Sequence, residues 1–357
     1  MRCLLSSTIL LLVVPPLCAA DLPPSNTLTP EEIAEGWIQL FDRATSFGWR
    51  IDGDAKIDGR TLILGGEKAT TAVTTSAFGS FELRLQYFVA GPDSELLAGT
   101  EKLVSFRPTP RTQATTHHRK ARQLHPLRLE VPAGSTLVLF GIKLKPEGLE
   151  PIFNGKDLTG WKEFPGRKSK FTVTPEGWIN VKNGPGDLQT EGQWDDFVLQ
   201  IDCLCNGDRL NSGVFFRCRP NEYQNGYEAQ IHNGFTPKPA KEYTIEEYDP
   251  KTHELKGKQK VNYTAIDYGT GAIYRRIPAR FQAAKDHEWF TMTIVARGNH
   301  IATWVNGMQM VDWTDNRPPS DNARNGCKLE KGPISLQGHD PTTDLSFRNI
   351  RIGEFSK

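Results

Sequence analysis

The chain lacks several things, and each absence excludes a class of protein. After residue 20 it has no apolar run long enough to cross a bilayer as a helix. Helical heptads are missing, so a coiled coil is excluded. There is no excess of either charge: 43 Lys and Arg stand against 42 Asp and Glu, which removes any general pull on nucleic acid or an anionic membrane. No CxxC pair suggests a zinc site. The cysteines beyond residue 20 are Cys203, Cys205, Cys218 and Cys327, expected as core thiols or one bridge.

The one long apolar stretch lies at the start. MRCLLSSTILLLVVPPLCAA (1–20) has a charged opening at Arg2, an apolar run over Leu4–Val14 and a small-residue end at Cys18-Ala19-Ala20. It is expected to be an export signal, which would make the protein periplasmic or extracellular. Lipidation of Cys18 is the alternative, for which Pro15 and Pro16 are a poor context.

What the chain does contain is short alternating apolar runs separated by Gly, Pro, Asn and Asp, the pattern of an all-β fold. An imperfect repeat runs through it. IQLFDRATSFGWRI near the start matches EPIFNGKDLTGWKEF, each an aliphatic–Phe pair, a polar turn and Gly-Trp. Hairpin-like stretches follow (AKIDGRTLIL, EGWINVKNG), then alternating strands (SFELRLQYF, DFVLQIDCLC). The closing segments also match, LVLFGIKLKP with LSFRNIRIGEF. The repeat predicts two related β-sandwich domains, 24–148 and 150–357. The first reads as a truncated accessory copy without a counterpart of 211–234. The basic segment 111–128 is expected to be a solvated loop, and His117, His118 and His125 there are weak metal candidates because no carboxylate or thiol sits among them.

A site is suggested by GYEAQIHNG (226–234). In a strand, Tyr227, Ala229 and Ile231 share one face, and Glu228, Gln230 and His232 the other. Upstream, in NSGVFFRCR (211–219), Phe215, Arg217 and Arg219 oppose Val214, Phe216 and Cys218. Closing the two runs as a hairpin over PNEYQN places Arg217 opposite Glu228 and Phe215 opposite Gln230. A third strand, PISLQGHD, adds Ser335, Gln337 and His339 on one face, and IATWVNG offers Trp304 with Asn306. Polar alternation usually marks only a solvated face. Here the polar set is Arg, Glu, Gln and His beside aromatic rings, groups that suit sugar hydroxyls and C–H faces.

The second half resembles the 3-keto-disaccharide hydrolase family of exported bacterial proteins. The matching segments are PIFNGKDLTGW (151–161), NSGVFFR (211–217), GYEAQI (226–231), GTGAIY (269–274), WVNG (304–307), ISLQGH (334–339) and FRNIRI (347–352). The first half matches only at its ends. The resemblance implies a concanavalin A-like jelly-roll sandwich and cleavage of 3-keto-glycosides by C2 proton abstraction, β-elimination and hydration. Those steps need a base, an acid and a group to stabilise an enediolate. Glu228 and His339 are the candidates for base and acid, in either order, and Arg217 for the enediolate. Gln230, Gln337, Tyr274, Phe215, Asn211, His232 and Trp304 are candidates for substrate binding. No cofactor is required, although a divalent cation held by a carboxylate and a neutral imidazole would stabilise the same intermediate. An ordinary glycosidase would need two suitably spaced carboxylates, and Glu246 and Glu247 are adjacent, hence on opposite faces. The alternative to an enzyme is a non-catalytic carbohydrate-binding or cell-surface protein using the same face.

Overall fold

A period-two pattern becomes a sheet only when one of its faces is filled, and here two sandwiches fill them. The computed structural model describes residues 27–236 and 240–355, so the expected export signal lies outside the described residues. After a one-turn helix α1 (Pro30–Ala34) come β1 (Ile38–Gln39), β2 (Trp49–Asp52), β3 (Ala55–Asp58), β4 (Thr61–Gly65), β5 (Thr70–Phe78), β6 (Phe81–Ala90), β7 (Ser94–Ala98), β8 (Glu101–Phe106), β9 (Gln113–Arg119), β10 (His125–Val131) and β11 (Thr136–Pro146). The second series is β12 (Glu150–Pro151), β13 (Trp161–Glu163), β14 (Lys170–Val173), β15 (Ile179–Lys182), β16 (Gly186–Thr190), β17 (Phe197–Cys205), β18 (Ser212–Phe216), β19 (Tyr227–Ile231), β20 (Lys241–Tyr248), β21 (Leu255–Tyr263), β22 (Phe290–Arg297), β23 (His300–Val305), β24 (Met308–Thr314), β25 (Ser335–Gly338) and β26 (Asp344–Glu354).

The two series build the same object. The first has one sheet ordered β3-β4-β11-β6-β9, with β1 on β11, and another ordered β2-β5-β10-β7-β8. The second has β14-β15-β26-β17-β22, with β12 on β26, and β13-β16-β25-β18-β19. Strand for strand the orders coincide. The repeated Gly-Trp phrase has a physical role in each copy: the Trp49 indole donates to the Leu40 carbonyl at 2.5 Å, and Trp161 to the Ile152 carbonyl at 2.8 Å, both nine residues back. Each bond ties the entry turn to its sandwich.

The expected all-β architecture is therefore present, with one correction. The first copy does have a counterpart of β18–β19, namely β7–β8. What the second copy adds is the β23–β24 extension of its large sheet, the β20–β21 hairpin and the loop from 264 to 289. A second correction concerns 111–128. That segment is mostly strand, β9 and β10, and Arg119 is buried there with its guanidinium on Glu101 and on the Phe78 and Gly79 carbonyls. As an edge strand, β9 carries more polar than apolar residues, so its composition resembles that of a loop. All four described cysteines are buried free thiols. No described helix is long and apolar enough to cross a membrane.

The sandwiches share a core. Val198, Val295, Ala302, Trp304 and Phe355, on the outer side of the large second sheet, pack into the first sandwich's cluster. Trp304 is 1% exposed, lies 6.2 Å from the Phe78 ring and donates to the Gln39 carbonyl. Arg280 pairs with Asp42 at 2.7 Å, and the Gln200 amide donates to the Gly36 carbonyl. Trp304 is thus a docking residue of the two sandwiches, and its expected place against a sugar is withdrawn. Trp304→Ala should cost roughly 3–5 kcal/mol, the usual loss for a large buried aromatic. Calorimetric unfolding is the measurement; an unchanged midpoint would place Trp304 outside the shared core.

Candidate active site

The site lies on the face of β13-β16-β25-β18-β19 that points away from the large sheet. Leu188, Val214, Ala229, Ile231, Ile334 and Leu336 point inward and fill the core. Alternation then drives their neighbours to the other side. Asp187 pairs with Gln337, and Gln189 with Ser335. Phe215 pairs with both Ser335 and Glu228, and Gly213 with Gln230. One face thereby collects Asp187, Gln189, Ser335, Gln337, Phe215, Glu228 and Gln230. Gly213 is required in this row: a Cβ there would stand 2.8 Å from Glu228 Cγ and Oε1, so the carboxyl leans across the gap.

The hairpin register differs by two residues from the sequence expectation. Glu228 faces Phe215, with Arg217 beyond the strand end. The shift of two preserves which side chains share a face, so the core pattern alone does not detect it. Arg217 adopts φ 48 and turns out of the strand. Its fully buried guanidinium donates to the Asp195, Gly298 and Lys328 carbonyls and to Asp196 Oδ1. Arg217 is a structural pin and stands apart from the site. The segment 217–226 is longer than the expected tight loop and folds over the sheet face. There the Gln224 amide donates to Asp187 Oδ2 at 2.8 Å, and the Gln189 amide to the Glu222 carbonyl.

The remaining expected residues divide. Gln230 and Gln337 lie on the face, Gln230 donating to Asn211 Oδ1 at 3.1 Å. The Tyr274 amide donates to the Glu228 carbonyl, closing the free edge of β19, and its ring lies half-buried at the cleft beside Glu228. His232 is buried at the end of β19; its Nδ1 accepts from the Gly234 amide, its Nε2 lies 3.8 Å from Asp267, and burial lowers its pKa. His339 is exposed past the end of β25, with Nδ1 2.8 Å from Asp340 Oδ2. No hydrogen bond or ion pair among the described residues joins it to Glu228.

Sequence reasoning missed Asp187, Arg275 and Arg324. Asp187 sits in GDLQT, whose alternation around Leu188 was the available signal. Burial pushes the Asp187 carboxyl up to about 7, against the pull of the Gln224 amide, of the Gln189 and Ser335 side chains and of the Arg167 charge. Burial likewise pushes Glu228 up to about 8, with Arg324 and Arg275 restraining it and Asp187 raising it further. Asp187 Oδ1, Ser335 Oγ, Gln230 Oε1 and Gln337 Oε1 are all buried without a hydrogen-bond partner. Buried polar atoms normally find partners. Four orphans on one sheet face mark a surface built to be completed by a ligand or by water. Glu228 itself opens into a cleft of about 280 Å³ lined by Tyr274, Arg275, Arg276 and Arg324.

Among the described residues, the trio of His or acidic groups close enough to share a metal ion is Glu82, His118 and Glu147, in the first sandwich. It is poorly suited to one, because Glu82 already binds Arg84 and Lys145. At the cleft the oxygen atoms of Asp187 and Glu228 belong to strands three apart, so a cation would take one carboxylate and the amide oxygens beside it.

The raised carboxyls have a consequence for stability. Their folded pKa values lie above the ordinary carboxylate range, so the folded protein binds protons that the unfolded chain releases. Stability is then greatest below about pH 4 on this account and falls as pH rises through about 7 and 8. Each ionisation costs on the order of a few kcal/mol. Urea unfolding from pH 5 to 8.5 should show this decline, and Asp187→Asn with Glu228→Gln should flatten it.

The model of the 3-keto-alpha-glucoside-1,2-lyase-like domain matches residues 148–353. No curated protein matches the chain. Among solved structures, a candidate glycosyl hydrolase from Parabacteroides distasonis is 21% identical, with a TM-score of 0.43, covering 59% of this chain and 95% of its own. Another from that organism is 24% identical, with a TM-score of 0.40, over 59% and 85%. The carbohydrate-binding module CBM66 from Bacillus subtilis is 14% identical, with a TM-score of 0.35, over 57% and 99%. The matched residues 148–353 make up more than half of the chain and include the whole polar face from Asp187 to Gln337, so the chain belongs to the family of 3-keto-alpha-glucoside-1,2-lyase-like domains.

Proposed function

We propose that the protein is an exported enzyme that cleaves 3-keto-glycosides by elimination and hydration at this sheet face. The observation that carries the reading is the pair of buried carboxyls, Asp187 and Glu228, among unpartnered polar atoms. A carboxyl of purely structural use would be saturated with hydrogen bonds. Asp187 Oδ1 makes no hydrogen bond of ordinary geometry, although the Gln189 and Ser335 side chains stand close enough to pull its pKa down, and the Glu228 carboxyl makes no hydrogen bond to a described residue. Export rests on residues 1–20.

The chemistry follows from the substrate class. A ketone at C3 acidifies the C2 hydrogen. A base removes that proton, and the C–H electrons form the enediolate. Its collapse makes the C1–C2 double bond and breaks the C1–O bond, and the departing oxygen takes a proton from an acid. Water then adds at C1 while C2 regains a proton, so the net change is hydrolysis. One base and one acid are needed together, and this pair supplies both. Asp187 ionises at about 7 and Glu228 at about 8, so between them Asp187 is a carboxylate and Glu228 still holds its proton. The pair stands on strands three apart and two residues out of register, ~16 Å between Cα atoms at ~4.8 Å per strand and ~3.4 Å per residue, and Glu228 leans inward over Gly213. That separation admits a sugar ring. Arg324 and Arg275, beside Glu228, supply positive charge for the enediolate in the role expected of Arg217. Gln230 and Gln337 offer bare carbonyl oxygens to sugar hydroxyls. Asn211 orients Gln230, Tyr274 gives apolar surface, and His339 and His232 stand at the rim; Phe215, expected against the sugar, is instead fully buried beneath Arg324 and supports the face from within.

The primary test is release of product from a 3-keto-disaccharide beside its unoxidised parent; failure to cleave the ketone, with sugar binding intact, would leave only the binding-module reading. The roles separate further. Asp187→Asn should lose ~10²–10⁴-fold in rate and stop exchange of the C2 hydrogen with D₂O. Glu228→Gln should lose a similar factor on a sugar leaving group, keep C2 exchange, and recover on a nitrophenyl leaving group that needs no acid. The rate should rise through about pH 7 as Asp187 ionises and fall above about 8 as Glu228 does. The reverse pattern in the two variants would exchange the roles.

A further inference from the structure

Of the arginines that border the site, Arg324, Arg275 and Arg167 each lie over an aromatic ring. Arg324 is 5.8 Å from the Phe215 ring, Arg275 5.4 Å from Tyr274, and Arg167 3.8 Å from Tyr223 and 5.5 Å from Phe164. None of the three forms an ion pair with a described carboxylate; Arg324 donates from Nε to the Gln224 carbonyl, which leaves the outer edge of its fork free. They belong to one neighbourhood. Arg324 and Arg275 act on Glu228, Arg167 acts on Asp187, and Arg167 and Arg324 both act on Tyr223. The carboxyls nearest them, Asp187 and Glu228, are buried, and burial opposes their ionisation. The reaction proposed above develops a single negative charge, on the enediolate, and Arg324 and Arg275 already flank Glu228 for it. Arg167 is surplus to that need. It stands at the Asp187 end, 3.8 Å from the centre of the Tyr223 ring, exposed and with no ion pair to a described residue. A guanidinium held this way is pre-organised for two parallel bonds to a carboxylate or sulfate.

We propose that the natural substrate is an anionic glycoside, one bearing a carboxylate or sulfate group, and that Arg167 is the residue that recognises the anion. This rests on the reading of the site as a 3-keto-glycoside site. A neutral sugar would leave the third cation idle, whereas an anionic one would also be drawn in by all three at low ionic strength. The Tyr223 and Phe164 rings, 5.5 Å apart, give the guanidinium its platform.

The experiment compares a 3-keto-glucuronide with a 3-keto-glucoside that share a leaving group, on the full chain. The expected kcat/KM favours the glucuronide by about tenfold or more in dilute buffer, less in 0.5 M salt. Arg167→Gln should remove that preference, read as the ratio of the two rates at a pH well above 7, because losing the guanidinium also raises the Asp187 carboxyl for both substrates alike. Equal rates for both substrates, or an equal loss on both in Arg167→Gln, would overturn the proposal with the enzyme reading intact. Calorimetric binding of glucuronate against glucose is read alongside. If neither ketone is cleaved, the enzyme reading fails, and the binding comparison decides the anion preference by itself. Tighter glucuronate binding lost in Arg167→Gln sustains it, and equal binding sinks it.

Discussion

The site depends on the filled face of one five-stranded sheet. Leu188, Val214, Ala229, Ile231 and Leu336 are each fully buried against the large sheet, and a slip of one residue in any strand would exchange them for Asp187, Gln230 or Gln337. The core therefore holds the polar residues in place more firmly than their own hydrogen bonds do. It also explains how four polar atoms can remain unpartnered: their backbone positions are decided by apolar packing on the other side of the same strands. Side chains so constrained have little to reorganise when a substrate arrives, which is what electrostatic catalysis requires.

The repeat shows how little the strand order itself determines. β10 of the first sandwich occupies the place of β25 in the second, and β5 the place of β16. Where the second copy carries Ser335 and Gln337, the first carries Arg128 and Glu130, an ion pair of 3.1 Å with both side chains 43% exposed. Solvent screens such a pair, and it contributes little. In the second copy the extra loop from 264 to 289 pairs with the edge of β19, and segment 217–226 covers the face. Covering converts an ordinary wet sheet face into one where a carboxyl keeps its proton near neutrality.

Much of this was legible in the sequence because it follows from a period of two. Glu228 and Gln230 outward, Ala229 and Ile231 inward, Ser335 and Gln337 on a neighbouring strand, and the related sandwich before them all follow from alternation and from the repeated Gly-Trp phrase. What was not legible involves backbone departures and distant loops. Arg217 and Trp304 fit the alternation and yet serve elsewhere. Arg217 leaves its strand at a positive φ to bind carbonyls from three separate segments, and Trp304 faces a second sandwich whose docking no local pattern encodes. Asp187 escaped notice because a lone aspartate in a short strand looks solvated until Gln224 and Tyr223 are folded over it.

The electrostatics of the covered face have a direction. Burial raises both carboxyls; the ionisation of Glu228 is opposed by Asp187, and the arginines favour both, Arg167 at Asp187 and Arg324 and Arg275 at Glu228. An arriving neutral sugar would displace water and deepen the burial, pushing both carboxyls further toward protonation and weakening the base. An anion bound at Arg167 would remove positive charge from beside Asp187 and push in the same direction, so the gain in affinity is set against some loss of ionised Asp187. The rising limb of the pH profile should therefore lie higher for a charged substrate than for a neutral one when measured as kcat. When measured as kcat/KM it reports the free protein and should be the same for both. That difference between the two profiles would tie the anion to the neighbourhood of Asp187 specifically, which a gain in affinity from long-range attraction alone would not do.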